Sequence, residues 1–430
     1  MPLRSLIDPN RPPPGPFRPG FWRSPLRGRW LTSVLGLILL VGIPIVAITG
    51  LLSNVAYQPR LGGNSLGRGL GPLDIYIFSW PTRPVWLYAF TQGLHITIGL
   101  VLFPVLLAKL WSVFPRLFEW PPVRSPAHLL ERLSLALLVG SALFEFGTGI
   151  LDIELWYPFH FFFTPAHYYG AWVFIGAFTA HAAIKFGTMR RGLRMRRAVV
   201  GVAEALSLGG PTPLDGETPL AAVSPAPATM SRRVLLGTVG AGSLLLFLQG
   251  AGESIGGPLR FLSFLGPRGR VGSGPLGFPV NRTAAVAKIT RASAGAGWRL
   301  ELVGARTVKL SREQLLAMPQ HTYDLPIACV EGWSTTQRWT GVRLRDLAAL
   351  AGVDHGATVQ SVSLETDGVY NVATLGHEQV ADDRSLLALR VNDVDLSLDH
   401  GFPARVISPA VPGVHCTKWV TKMAFTEVSA

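Results

Sequence analysis

Cys329 and Cys416 are the only thiols in a chain of 430 residues. Two thiols cannot form a disulfide framework or a four-cysteine metal site. A thiolate is a soft ligand that suits a heavy, electron-accepting metal. One cysteine cannot build a zinc or iron–sulfur site unaided, but it can fix a metal whose other ligands come from a cofactor. Cys329 sits in Pro326-Ile-Ala-Cys329-Val-Glu-Gly-Trp333-Ser, followed by Trp339-Thr-Gly. A second set of groups able to do chemistry lies in apolar runs. These are His95, His167 and His181; ionisable side chains there are costly and are functional hypotheses by default. His167 and His181 are 14 residues apart, about 21 Å along one helix face.

The elements that must position these groups follow from composition. Apolar residues make up 48% of the chain and charged residues 15%, which indicates a membrane part joined to a globular part. Runs 30–52, 84–112, 128–151 and 166–188 each reach the ~20 residues that cross a bilayer; a fifth, 234–250, is shorter. The net charge is +13, and its Lys and Arg cluster beside the apolar runs. That suits membrane orientation rather than nucleic-acid binding. Arg18, Arg23, Arg27 and Arg29 precede the first run and Arg190, Arg191, Arg194, Arg196 and Arg197 follow the fourth, whereas the loop after the third has Asp152 and Glu154. The N-terminus is therefore expected in the cytoplasm of a bacterial-type cell and everything after 251 outside it.

The expected organisation has five parts. Residues 1–29 are a disordered basic tail, 30–190 a four-helix membrane domain, 191–230 a cytoplasmic linker and 231–252 a fifth, tethering helix. Residues 275–430 form the globular domain. Ser231-Arg232-Arg233-Val234-Leu235-Leu236 resembles a twin-arginine export motif placed internally, although Arg232 and Arg233 also read as ordinary inside anchors. From 275 onward, Trp298–Val303, Thr358–Thr366 and Ala404–Ser408 read as strands, and Ser311–Met318 and Leu344–Ala351 as short helices. Ser311 is an N-cap with Gln314 at capping-box spacing, and Asp367-Gly368 is a turn. The fold class is an all-α transmembrane bundle followed by an α+β domain.

The string around Cys329 resembles the cofactor-binding segment of the sulfite-oxidase superfamily, most nearly the branch of the periplasmic methionine-sulfoxide reductase catalytic subunit. The resemblance continues at Asp399-His400-Gly401-Phe-Pro403-Ala-Arg405, Pro409, Gly413 and Lys418-Trp419, although that branch departs from the Lys-Trp pair. It implies Mo-molybdopterin held by Cys329, which would ligate the metal and be the catalytic residue. Thr366 would contact the cofactor. His400 and Arg405 would hold the pterin edge and phosphate, and Cys416, Thr417 and Lys418 would line the phosphate side. Asn281 is the one candidate in the upstream contact segment. Where sulfite oxidases proper have an Arg-rich run, this chain has Glu331-Gly-Trp333, which weakens sulfite as substrate. The spacing of His167 and His181, with Gln92-Gly-Leu-His95, resembles membrane cytochromes b, implying haem b on His95, His167 and His181.

Together these imply a membrane-anchored oxidoreductase transferring oxygen atoms on a small extracytoplasmic substrate and exchanging electrons with quinone or quinol, without nucleic acid. Two other readings stay open: an enzyme handling sulfite or another S- or N-oxide, and a tethered binding module that has lost the metal. Read singly, the residues keep blander alternatives. Cys329 and Cys416 could pair as a disulfide, and Thr366 and His400 could be turn residues.

Overall fold

The computed structural model describes residues 11–57, 78–205, 222, 225–268, 271–353, 356–368 and 371–427, without the side chains of 195–205. Two compact units emerge. One takes in 1–47, 98–149 and 167–247, the other 48–97, 150–166 and 248–430.

Five long helices fill the first half: α1 Arg29–Val55, α2 Leu87–Val113, α3 Pro126–Ile153, α4 Phe163–Ala205 and α5 Arg232–Ile255. In the first unit, α1 buries Leu31, Leu35, Leu39 and Ile43, one every four residues and so on one helix face. They meet Leu102, Val105 and Leu106 of α2, Ala142 of α3 and Phe174 of α4. Gly42 permits the approach, since a Cβ there would stand 2.6 Å from Leu102. The opposite side of α1 is equally apolar and exposed, with Ile38, Val41 and Ile48.

Among the described residues, four helices are long and apolar enough to cross a membrane: Arg29–Val55, Leu87–Phe118, Pro126–Ile153 and Arg232–Ile255. The fifth run, expected to be marginal, is among them, because its helix extends to 24 residues. The fourth run does form α4, but α4 is not among the four: His167, Tyr168, Tyr169 and His181 lower its hydropathy. It also continues to Ala205, into the expected linker, through Arg, Met, Leu and Ala, all good helix formers. Of that linker, 206–221 and 223–224 lie outside the described residues, as do 1–10 of the tail.

The described part of the tail is not the open coil expected. Phe17 meets Phe118 edge-on, Trp22 meets Phe114, and the Arg27 guanidinium lies over Trp111 at 4.5 Å. Aromatic contacts of this kind offset the entropy that a Pro- and Arg-rich composition alone would leave unopposed. Arg232 donates to the carbonyls of Pro25, Leu26 and Arg27, so α5 starts beside the tail that precedes α1.

The second unit carries two sheets. One has the order β2-β1-β10-β5-β6 (Thr307–Leu310, Leu300–Val303, Val420–Glu427, Ala357–Ser363, Val372–Leu375). The other runs β3-β4-β7-β8 (His321–Ala328, Ser334–Arg343, Leu386–Val391, Val394–Asp395), with β9 (Arg405–Ile407) on β7. Only β1 and β10 pair in parallel among these strands. The expected helices appear as α6 Arg312–Ala317 and α7 Leu344–Leu350, followed by a one-turn α8, His377–Ala381. The Ser311–Gln314 capping box forms in full. Alternating burial along β5 marks a sheet with one face on the core. β7 is buried nearly throughout, as suits a strand between layers. Trp339 of β4 sits fully buried at the centre, its Nε1 donating to Leu325 O at 3.2 Å.

Two features of this fold build the site. β3 and β4 pair up to Ala328 opposite Ser334, so residues 329–333 form the turn of a hairpin. Gly332 there has φ +92°, a value that glycine adopts at no steric cost. Ala328 also bridges to Pro412, and Val406 N donates to Thr417 O. These links draw the second motif segment beside the first.

Candidate active site

Cys329 occupies the hairpin turn, buried, with its N–H donating to Trp333 O at 3.0 Å and its carbonyl accepting from Gly332 N–H at 3.1 Å. Asn281 faces it. Asn281 Oδ1 accepts from Arg268 Nε at 2.9 Å and from Trp333 Nε1 at 3.0 Å. Those two donors fix the orientation of the amide. Its Nδ2 therefore points the other way, 2.9 Å from Cys329 Sγ and 2.7 Å from Glu331 Oε2. Burial, then the Glu331 carboxylate, push the Cys329 thiol well above the ordinary cysteine range. A bound metal cation would reverse that, since a coordinating thiol is deprotonated outright. Both cysteines are free and buried, so the disulfide alternative is not formed.

Arg405, at the start of β9, is a buried cation. One nitrogen donates to His400 O at 3.3 Å, the guanidinium lies 5.6 Å from the Trp339 ring, and Nε has no hydrogen-bond partner. Burial lowers its pKa, while Cys416 and then Cys329 pull the other way. Arg405 takes part in no ion pair among the described residues. A buried guanidinium without a carboxylate leaves a charge that only an incoming anion would balance. Thr417 adds a buried hydroxyl, also without a partner. Burial raises the Cys416 thiol, with Arg405 opposing. Lys418 Nζ donates to Asp399 O at 2.8 Å and to Arg282 O. Burial, then Arg405, lower its pKa to about 7.

The His400 ring lies tilted against Phe278, with centroids 3.9 Å apart, and its Nδ1 lies 2.8 Å from Ser397 Oγ. Burial, then Arg405, lower its pKa to about 4; burial brings His415 to about 4 as well. Both imidazoles are thus neutral in the folded state until about pH 4, whereas an unfolded histidine protonates near 6.5. The unfolded chain binds more protons across that window. The cofactor-free chain should therefore lose stability as pH falls from about 6.5 to 4, by on the order of 2 kcal/mol for each histidine. Melting followed by tryptophan fluorescence will show this slope, and His400→Gln should flatten part of it. An unchanged slope would contradict the assignment.

Thr366 stands apart. It is exposed, and its hydroxyl bonds to Asp367 at 3.3 Å, the local chemistry of a turn. The membrane histidines fall in different units, His95 in the second and His167 and His181 in the first. The His95 ring packs on Gly50, where a Cβ would stand 2.7 Å away. His167 Nδ1 lies 2.9 Å from Thr148 Oγ1 and 3.3 Å from Glu145 Oε2, an arrangement that orients a ring. His181 is half-buried. No group of three or more His, Cys, Asp and Glu side chains is placed to hold a metal ion among the described residues.

Residues 286–430 match the family of the oxidoreductase molybdopterin binding domain. They belong to the sulfite-oxidase family of molybdopterin-binding oxidoreductases. Mitochondrial sulfite oxidase of Mus musculus is 32% identical over 156 residues, 30% of this chain and 29% of that one. An uncharacterized oxidoreductase of Bacillus subtilis, YuiH, is 32% identical over 133 residues, 30% of this chain and 66% of that one. The sulfane dehydrogenase SoxCD of Paracoccus pantotrophus shares 25% identity over 31% of this chain and 39% of that chain, with a TM-score of 0.29. The chain thus spans from under a third to about two thirds of these relatives.

The molybdopterin domain carries groups that fit its cofactor. Arg405 Nε and Thr417 Oγ1, buried and without partners, are the donors that a phosphate requires. Cys329 would supply the single soft ligand that a metal chelated by a pterin lacks. Sequence reasoning missed Glu331 as a contact of this network, and Arg268 altogether. Arg268 lies upstream of the motifs at Cys329 and His400, and its contact with Asn281 arises only on folding.

Proposed function

We propose that the chain is a membrane-anchored molybdenum-cofactor oxidoreductase that transfers an oxygen atom to or from a small extracytoplasmic substrate. The observation that carries this reading is the thiol of Cys329, held by Asn281 at 2.9 Å in a domain of the molybdopterin family. Cys329 ligates the metal through sulfur. Asn281 holds that sulfur and the Glu331 carboxylate in fixed relation. Arg405 and Thr417 bind the phosphate, with Lys418 and the backbone at Cys416 beside them, and His400 presents a neutral ring to the pterin edge. The cofactor, when bound, supplies two-electron oxygen-atom transfer.

Four helices suited to crossing a membrane and the exposed apolar face of α1 support the anchor. Contact of Arg232 with the tail supports an even number of crossings before α5, hence a cytoplasmic N-terminus and an outward C-terminal domain. The twin-arginine pair Arg232–Arg233 then starts the last crossing, in keeping with export of a domain already loaded with cofactor. Haem b, for which His95, His167 and His181 are the candidate ligands, would complete the path to quinone or quinol. Its support is the position of His95 on α2, a helix apolar enough to cross a membrane, and the contacts of Thr148 and Glu145 that orient His167. In the reducing direction, two electrons from a quinol and two protons release the substrate's oxygen as water.

A dithionite-reduced optical spectrum of the detergent-purified chain tests the path. A haem b band that a quinol also produces is the expected result. Its absence would remove the haem and require a separate electron carrier.

A further inference from the structure

The turn that carries Cys329 is held from two sides in alternation. On one side, Asn281 contacts the side chains of Cys329, Glu331 and Trp333, every second residue. On the other side, the carbonyls of Val330, Gly332 and Ser334 each accept a hydrogen bond from outside the molybdopterin domain. Gln92 Nε2 of α2 donates to Val330 O at 2.6 Å. Ser254 Oγ of α5 donates to Gly332 O at 3.0 Å. Arg260, in the turn after α5, donates to Ser334 O at 2.8 Å. Ile96, one helical turn beyond Gln92, fills the space beside Gly332, where a Cβ would stand 2.6 Å away. The turn is buried around these contacts, so its carbonyls need donors, and α2, α5 and the segment after α5 supply them. All these groups fall within the second unit.

We propose that Gln92 is a positioning residue for Cys329: its amide, with Ser254 and Arg260, sets the conformation of the metal-ligand turn, so that the ends of α2 and α5 are structural parts of the molybdenum site. This rests on the reading of Cys329 as the metal ligand. Gln92 itself touches no substrate or cofactor; it acts through Val330, the residue next to the ligand. The same helix carries His95 three residues on, so the helix that donates to the metal-ligand turn also carries that histidine.

The test uses the full chain in detergent, loaded with cofactor. Gln92→Leu keeps size and loses the donor. Gln249→Leu, which removes a different buried bond of α5, to Leu265 N–H, is the control. Amide exchange reads the Cys329 and Gly332 N–H groups, whose bonds close the turn. The electron paramagnetic resonance spectrum of the one-electron-reduced metal reads the ligand geometry. Gln92→Leu should speed exchange at these amides about tenfold, the equivalent of one lost hydrogen bond, and shift the resonance. Gln249→Leu should change neither. Ser254→Ala, a smaller change, should act in the same direction at Gly332 and keeps the test open if Gln92→Leu does not fold. Unchanged exchange, an equal rise in the control, or faster exchange with an unshifted resonance would each overturn the proposal. A wild-type chain without any molybdenum resonance would instead overturn the cofactor reading, and this inference with it.

Discussion

Cys329→Ser is expected to abolish substrate turnover, by about a thousandfold or more, while leaving the fold in place. Loss of a group that merely supports a metal ligand costs about 10- to 100-fold, and removal of the ligand itself should exceed that. Serine is near in size to cysteine, and its oxygen can still accept from Asn281 Nδ2, so the turn that Cys329 closes through Trp333 O and Gly332 N–H is preserved. Its oxygen is a hard ligand that does not replace a soft thiolate. Turnover with an artificial donor, alongside near-ultraviolet circular dichroism, separates loss of chemistry from loss of fold. Turnover within tenfold of the wild type would show that Cys329 is not the ligand.

Arg405→Met should move stability and cofactor binding in opposite directions. The guanidinium is buried, its Nε unpartnered and without an ion pair among the described residues. Replacing such a charge with an apolar side chain of similar length relieves a desolvation cost of several kcal/mol. The lost bond to His400 O and the contact with Trp339 offset part of the gain. The cofactor-free variant should therefore melt no lower than the parent, and higher by up to about 2 kcal/mol of stability. Cofactor binding should weaken by about 2–5 kcal/mol, 30-fold or more, as when one partner of a buried charged pair is lost. Melting of the cofactor-free chain and retention of pterin through gel filtration measure the two effects. A variant both less stable and still loaded would show that Arg405 serves packing rather than anion binding.

Much of the site was legible because its residues are contiguous and chemically distinctive. The string at Cys329 and the run from His400 to Lys418 each name a residue type that only a narrow chemistry requires, and the fold joins them through the Ala328–Pro412 bridge. Asn281 has little signature in the sequence because its partners, Arg268, Trp333 and Cys329, are brought together only by folding. Thr366 shows the reverse: a recognisable position in sequence whose side chain the structure leaves exposed beside Asp367. In the sequence Gln92 stands only in the run Gln92-Gly-Leu-His95, which points to the histidine. Its contact with Val330 spans 238 residues, a separation at which periodicity and spacing carry no information. The helices were legible from apolar runs, but their ends were not. α4 runs on to Ala205 because no proline or glycine pair stops it, and the tail packs through Phe17 and Trp22, two rings that composition averages away.

The central claim is that this chain holds molybdenum through Cys329, and metal analysis of the full-length protein tests it most directly. Protein made in a host that synthesises the cofactor should contain close to one molybdenum per chain. Chains purified intact from that host without molybdenum would contradict the claim and leave the C-terminal domain as a tethered binding module.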